Sequence, residues 1–219
     1  MKLYERYGVF RRGCNLAGLL AVMLITLMSA TTQVRAAPLR LLVFGDSLVA
    51  GYNLPPDAAY PAQLERALRA KGLQVTVLNA GVSGDTTAAA AARLDWALAE
   101  RPTHVLVELG ANDMLRGLAP EQARANLDAI LAKLKQAGLP TMLAGMLAAP
   151  NLGADYGRRF NSIYPDLAAK YGIPLYPFFL DGVAGEARLN LSDGMHPTGE
   201  GVAVMVERSL PQILRFLGQ

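Results

Sequence analysis

Cysteine is almost absent from this chain, and histidine is scarce. The 219 residues include one cysteine and two histidines. Cys14 precedes an apolar run near the amino terminus, whereas a cysteine that carries a lipid anchor follows such a run. If the chain is cleaved after this run, no thiol is left to form a disulfide. Its stability must then come from the packing of an apolar core.

The sequence also lacks an apolar run long enough to span a membrane. The best candidate, residues 16–28, has 13 apolar or small residues, whereas a spanning helix needs about 20. Basic residues precede this run, and Val34-Arg35-Ala36 follows it with Val and Ala at the key positions of a cleavage site. These features predict a signal peptide over residues 1–36, cut after Ala36, and a periplasmic or secreted protein. An uncleaved membrane anchor is the alternative.

Residues 37–219 have no large excess of charge of either sign. The whole chain has 21 basic and 18 acidic residues. Residues 1–36 hold five of the basic and one of the acidic residues, which leaves 16 basic and 17 acidic residues in 37–219. This balance argues against nucleic-acid binding. Because no internal repeat or low-complexity linker is present, we expect a single domain over 37–219. We also expect it to be a monomer, without a stable membrane anchor after signal cleavage.

Apolar strand patterns alternate with helical patterns after residue 37. The predicted strands are 40–44, 73–78, 104–109, 139–147 and 173–176. The predicted helices are 60–71, 86–100, 120–137, 158–171 (kinked or delayed by Pro165) and 198–216, with a loop over 148–157. Five apolar strands separated by helices indicate a parallel sheet covered on both faces. We therefore predict an α/β fold: a three-layer α/β/α, flavodoxin-like, doubly wound sheet of five strands.

The first strand ends abruptly at Gly45-Asp46-Ser47-Leu48. Ligands of open α/β sheets bind beyond the carboxyl ends of the strands, so a serine in this turn is well placed for chemistry. Ser47 is a candidate nucleophile on this argument. Serine is also a common turn and helix-capping residue, which is the alternative interpretation.

A serine hydroxyl needs a base before it becomes a good nucleophile. His104 opens a strand at the end remote from Ser47, so packing or solvation is its expected role. His196 precedes the last helix, and Asp193 lies three residues upstream, close enough to orient the imidazole. The order Ser, Asp, His suits an α/β framework. Taken singly, a turn at Asp193 and a helix entry at His196 remain alternatives.

Acyl transfer also needs hydrogen-bond donors for the oxyanion that forms in its transition state. Asn112 follows the third strand and offers a side-chain amide, and Gly81 follows the second strand and offers a backbone N–H. The N–H of Ser47 is a third candidate donor. Alternatively, Gly81 and Asn112 are ordinary loop residues required for a positive φ.

These blocks together resemble the GDSL or SGNH hydrolase family. Within that family the chain is most similar to the bacterial periplasmic group of multifunctional arylesterases, acyl-CoA thioesterases, proteases and lysophospholipases. The matching segments are Gly45-Asp46-Ser47-Leu48, Gly81, residues 107–113, 115–117, 156–159, 163–165 and 193–197. A Gly-x-Ser-x-Gly elbow is absent, so the usual nucleophile placement of α/β-hydrolases does not apply.

The resemblance implies an exported serine esterase that hydrolyses small-molecule acyl esters and thioesters. Ser47, His196 and Asp193 would form its triad, and Ser47, Gly81 and Asn112 its oxyanion hole. It implies an acyl-enzyme and requires no metal and no organic cofactor. The expected substrate groove is lined by Met114, Leu115, Leu118 and Tyr156. A carbohydrate deacetylase on the same fold and a non-catalytic periplasmic binding module remain the alternative functions.

Three further residues carry expectations of their own. Glu108 lies in an apolar strand and is expected to be a buried carboxyl bonded to loop amides. Asp46 is expected to fix its turn through backbone hydrogen bonds. Trp96 is expected to pack its helix onto the sheet.

Overall fold

The computed structural model describes residues 38–219, which contain a five-stranded parallel sheet. Its strands are β1 (Leu39–Gly45), β2 (Val75–Gly81), β3 (His104–Glu108), β4 (Thr141–Ala144) and β5 (Leu175–Tyr176). They are hydrogen-bonded in the order β2-β1-β3-β4-β5. The predicted doubly wound α/β sheet is therefore confirmed. The predicted signal peptide and its cleavage site lie outside the described residues.

Helices connect the strands and cover both faces of the sheet. They are α1 (Ser47–Ala50), α2 (Tyr60–Ala70), α3 (Thr87–Leu98), α4 (Ala111–Leu115), α5 (Pro120–Gln136), α6 (Ala154–Asn161), α7 (Ile163–Tyr171) and α8 (Gly199–Phe216). α2 packs against α8, where Tyr60 Oη and Ser209 Oγ are 2.7 Å apart. α5 packs between α3 and α7 in the other layer. No helix within residues 38–219 combines the length and the apolar character that crossing a bilayer requires.

β1 lies inside the sheet with neighbours on both sides. Its residues 41–44 are fully buried, as are Val105 and Val107 of β3. Helices cover both faces of these strands, which explains why they are continuously apolar rather than alternating. The same burial fixes the position of the turn that follows β1, and that turn carries Ser47.

Several boundaries differ from the predicted ones. β2 continues to Gly81, so residues 79–81, predicted as loop, form the end of a strand. The predicted helix 158–171 is two helices that meet at Ser162. Pro165 lies in the first turn of α7, where a missing N–H costs nothing. Trp96 is 72% exposed, so the expectation that it packs on the sheet is wrong.

Candidate active site

The nucleophile candidate stands at the start of a very short helix. Ser47 is the first residue of α1, directly after β1 and Asp46. Asp46 caps the helix, because its Oδ1 accepts the N–H of Leu48 at 3.0 Å. The N–H of Ser47, as the first of the helix, has no intrahelical acceptor. The turn therefore presents both the hydroxyl and the N–H of one residue at the carboxyl edge of the sheet.

Ser47, His196 and Asp193 form a continuous hydrogen-bonded chain. His196 Nε2 is 2.9 Å from Ser47 Oγ, and His196 Nδ1 is 2.7 Å from Asp193 Oδ2. The three predicted residues, separated by up to 149 positions in sequence, are thus brought together. In this arrangement an imidazole can take a proton from a hydroxyl while a carboxylate holds its second nitrogen.

The turn between Asp193 and His196 stabilises the carboxylate. Asp193 Oδ1 accepts the N–H groups of His196 at 3.0 Å and Met195 at 2.9 Å. These backbone bonds, followed by the bond to the imidazole, lower the pKa of Asp193 to about 2. The carboxylate consequently stays ionised in the pH range in which enzymes work, ready to hold a protonated imidazole.

An aromatic ring that sequence reasoning missed covers the imidazole. The ring centroids of Tyr52 and His196 are 4.3 Å apart, with their planes inclined by 33°. Tyr52 directly follows Gly51, whose φ of 80° ends α1, and its N–H donates to the carbonyl of Ser47 at 3.2 Å. The sequence signal was slight: one aromatic residue just after the small-residue turn.

Asn112 is oriented by the same aspartate that caps α1. Its Nδ2 donates to Asp46 Oδ2 at 3.1 Å. An amide nitrogen carries two protons, so the second is free to point at a ligand. Asn112 lies in α4, which begins after Gly110 with a φ of 117°. Asp46 therefore links the turn of Ser47 to the side chain of Asn112.

Gly81 is adjacent to α1 but already has a hydrogen-bond partner. Its N–H donates to Asn79 Oδ1 at 3.0 Å. A Cβ placed on Gly81 would lie 2.7 Å from Ala50 Cα and 2.8 Å from the Asp46 carbonyl oxygen. Neither Gly81 nor Asn112 has a positive φ, which removes that alternative explanation of these residues. Gly81 is small because α1 packs directly on the end of β2.

Two carboxyl groups are fully buried beneath the site. Asp46 and Glu108 have no exposed surface, and the N–H of Asp46 donates to Glu108 Oε2 at 3.4 Å. Burial raises the pKa of Asp46 to about 6, although the N–H groups of Leu48 and Asn112 act against this. Burial, together with the nearby charge of Asp46, raises the pKa of Glu108 well above its usual value. The neighbouring Glu108 carboxyl lowers the pKa of Asp46, whereas the Asp46 carboxyl raises the pKa of Glu108, which favours an ionised Asp46 beside a neutral Glu108.

A largely apolar cavity of about 570 Å³ opens beside Ser47, Asn112 and His196. This volume is typical of small-molecule sites, which range over about 300–1,000 Å³. The predicted groove residues Met114 and Leu115 line it, together with Met146, Leu147 and Phe178, which sequence reasoning missed. Met146 and Leu147 lie at the end of the predicted strand 139–147, and Phe178 follows the predicted strand 173–176, where no periodicity indicates which way a side chain points.

The other two predicted groove residues do not line this cavity. The hydroxyl of Tyr156 donates to the carbonyl of Leu118 at 2.9 Å. The ring of Tyr156 stacks on that of Phe160, with centroids 5.9 Å apart. Leu118 and Tyr156 therefore contact each other beside the cavity's lining rather than within it.

Known proteins are similar to this chain over most of its length. An arylesterase from Vibrio mimicus is 38% identical over 200 residues, which are 91% of this chain and 98% of the relative. Thioesterase 1/protease 1/lysophospholipase L1 from Escherichia coli is 41% identical over 163 residues, 74% of this chain and 77% of the relative. The solved structure of AlinE4, described as an SGNH-hydrolase family esterase, is 47% identical with a TM-score of 0.70. The structural match covers 82% of this chain and 96% of the AlinE4 chain.

The family comparison agrees with these relatives and with the predicted resemblance. The model of the GDSL-like Lipase/Acylhydrolase family matches residues 43–204, a span that includes Ser47, Asp193 and His196. The match therefore extends from the last three residues of β1 into α8 and includes the other four strands in full. On this coverage and identity, the chain belongs to the GDSL-like lipase/acylhydrolase family.

Proposed function

We propose that this protein is an exported serine esterase that hydrolyses acyl esters and thioesters through a Ser47–His196–Asp193 triad. One observation carries the proposal: the hydrogen-bonded chain of these three side chains ends at the mouth of an apolar cavity. The names of the relatives, an arylesterase and a thioesterase/lysophospholipase, support the same reaction class.

In the proposed reaction, Ser47 Oγ attacks the acyl carbonyl as His196 Nε2 takes its proton. The ionised Asp193 stabilises the imidazolium that results. His196 then donates this proton to the departing alcohol or thiol, which leaves an acyl group on Ser47. Water, deprotonated by His196, attacks this ester and releases the carboxylic acid and free Ser47. The residues described account for each proton transfer.

The oxyanion is assigned to three donors in this proposal. Ser47 and Asn112 both line the cavity at the carboxyl edge of the sheet, so the N–H of Ser47 and the second amide proton of Asn112 are assigned as two of these donors. The N–H of Gly81 joins them when it is released from Asn79 Oδ1. Such donors act where charge develops, and removing one costs about 10²–10³ in kcat.

Acyl chains are the substrates that the cavity favours. Its lining is dominated by Met, Leu, Ala and Phe side chains, which recover free energy by removing methylene groups from water. Acetylated sugars would place hydroxyl groups against the same apolar surface without partners.

We also assign residues 1–36 to a signal peptide and residues 37–219 to the exported hydrolase domain, which acts as a monomer.

The test of the mechanism is Ser47→Ala, with Ser83→Ala as its control. Ser83 is an exposed serine in the turn after β2. Ser47→Ala should lower kcat for nitrophenyl ester hydrolysis on the order of 10⁶-fold without unfolding the protein. A fluorophosphonate should add one adduct mass to the wild type and to Ser83→Ala, and none to Ser47→Ala. Wild-type turnover by Ser47→Ala, purified free of host esterases, would disprove the mechanism.

The test of the substrate class is a panel of nitrophenyl esters from acetyl to palmitoyl, with an acyl-CoA and an acetylated sugar. Each methylene that the cavity buries should raise kcat/KM by up to about fourfold, because its transfer is worth about 0.8 kcal/mol. A sharp preference for the acetylated sugar would favour the deacetylase alternative instead.

A further inference from the structure

Among residues 38–219, no lysine, arginine or histidine forms a salt bridge with Asp46 or Glu108, the buried carboxyl pair beneath the site. Arg93 pairs with Asp85 and donates to the carbonyl of Gly45 at 2.9 Å. His196 pairs with Asp193. Two neighbouring carboxyls that are fully buried cannot both be ionised without a counter-charge, so one of Asp46 and Glu108 keeps its proton.

The hydrogen bonds decide which carboxyl is ionised. Asp46 accepts two N–H donors, from Leu48 at 3.0 Å and from Asn112 at 3.1 Å. Glu108 accepts one long bond from the Asp46 N–H, and its Oε1 has no hydrogen-bond partner within residues 38–219. Donors stabilise the charged form of a carboxyl. The negative charge therefore belongs to Asp46 and the proton to Glu108.

We infer that Glu108 is a positioning residue of this esterase: its protonated carboxyl donates to Asp46 and holds it in the orientation that aligns Asn112. The inference rests on the proposed function, since the role of Asn112 as an oxyanion donor belongs to it. Glu108 touches no substrate and acts through Asp46 alone. A neutral donor is what the position requires, because a second negative charge there would repel Asp46.

Two substitutions separate this role from a merely structural one. Glu108→Gln keeps a neutral donor for the Asp46 carboxylate and an acceptor for the Asp46 N–H. We expect its kcat to stay within about threefold of wild type, less than the tenfold that a lost hydrogen bond to a charged group represents. Glu108→Leu removes the donor at similar size and should lower kcat by about tenfold or more. KM should change little, because Glu108 does not line the cavity.

A double-mutant cycle with Asn112→Ala makes the test specific. If Glu108 acts through Asp46 on Asn112, then Glu108→Leu lowers kcat in the wild type and causes no further loss in Asn112→Ala. Independent structural damage would instead add to the loss from Asn112→Ala. Thermal unfolding of each variant reports whether it is folded. If Glu108→Leu does not fold, the comparison of Glu108→Gln with wild type remains decisive.

The inference is overturned by a folded Glu108→Leu with wild-type kcat, by additive losses in the cycle, or by Glu108→Gln losing tenfold or more. Ser47→Ala distinguishes these failures from failure of the proposed function. If Ser47→Ala is inactive while Glu108→Leu is fully active, the triad stands and the positioning role of Glu108 does not.

Discussion

Gly81→Ala should both destabilise the fold and slow the chemistry, because one methyl group would push against the helix that carries Ser47. An ideal Cβ on Gly81 lies 2.7 Å from Ala50 Cα, and closer still to the Ala50 nitrogen. These are backbone atoms of α1, so no side-chain rotation relieves the clash. Either α1 moves away from β2, or the end of β2 is displaced.

The size of the effect follows from this geometry. Overpacking a well-packed site costs about 1–3 kcal/mol, and we expect the upper end here because the contacted atoms belong to the backbone. A shift of about 1 Å in α1 displaces Ser47 Oγ from His196 Nε2, and a misplacement of that size can cost about 10²-fold in rate. The expected result is a lower free energy of unfolding together with a lower kcat.

Urea unfolding and nitrophenyl ester kinetics measure the two effects, with Gly157→Ala as the matched control. Gly157 lies inside α6, has no positive φ, and a Cβ there would have no atom within 4 Å. The control should be neutral or stabilised by up to about 1 kcal/mol, as for glycine to alanine in a helix. If Gly81→Ala kept wild-type stability and kcat, close packing of α1 on β2 would not be what requires glycine there.

Two other substitutions test individual contacts of the site. Burial raises the pKa of Asp46 from 3.8 to about 6, so its contribution to stability is present at low pH and is lost as the pH rises through about 6. Relative to wild type, Asp46→Asn should therefore gain about 2 kcal/mol in free energy of unfolding between about pH 4.5 and about pH 7.5. A difference that does not vary with pH in urea titrations would contradict this. Tyr52→Ala should lower kcat about three- to tenfold by removing the ring over His196, whereas Tyr52→Phe keeps the ring and the rate. Equal kcat values for Tyr52→Ala and wild type would show that the stacking has no catalytic consequence.

The strands could be predicted from the sequence because burial on both faces of the sheet gives each strand a continuous apolar run. The predicted β1 at 40–44 differs from the observed strand by one residue at each end. The predicted ends of strands were wrong where the residue types alone do not indicate the backbone conformation. Residues 79–81 contain Asn and Gly, which favour loops locally, yet their pairing with β1 makes them a strand.

The groove was the least predictable part of the site. The resemblance implies a groove that includes Leu118 and Tyr156, whereas in the structure these two residues are hydrogen-bonded to each other and do not line the cavity. Met146 and Phe178 line the cavity from the segments that follow β4 and β5. Irregular segments have no period that assigns a side chain to one face, so only the folded loops decide what lines the cavity.

By itself, the sequence determined that this chain forms a parallel α/β sheet, and it singled out Ser47, Asp193 and His196 as residues with complementary chemistry. Local spacing sufficed for the contact of Asp193 with His196, three residues apart. The tertiary structure alone decided that Glu108 lies against Asp46. That contact depends on the register of β1 and β3, in which Phe44 pairs with Val107. Glu108 then lies beside Gly45, and its carboxyl accepts the N–H of the next residue, Asp46. Register arises from packing across the whole sheet, and a shift of one residue would turn the carboxyl of Glu108 to the opposite face.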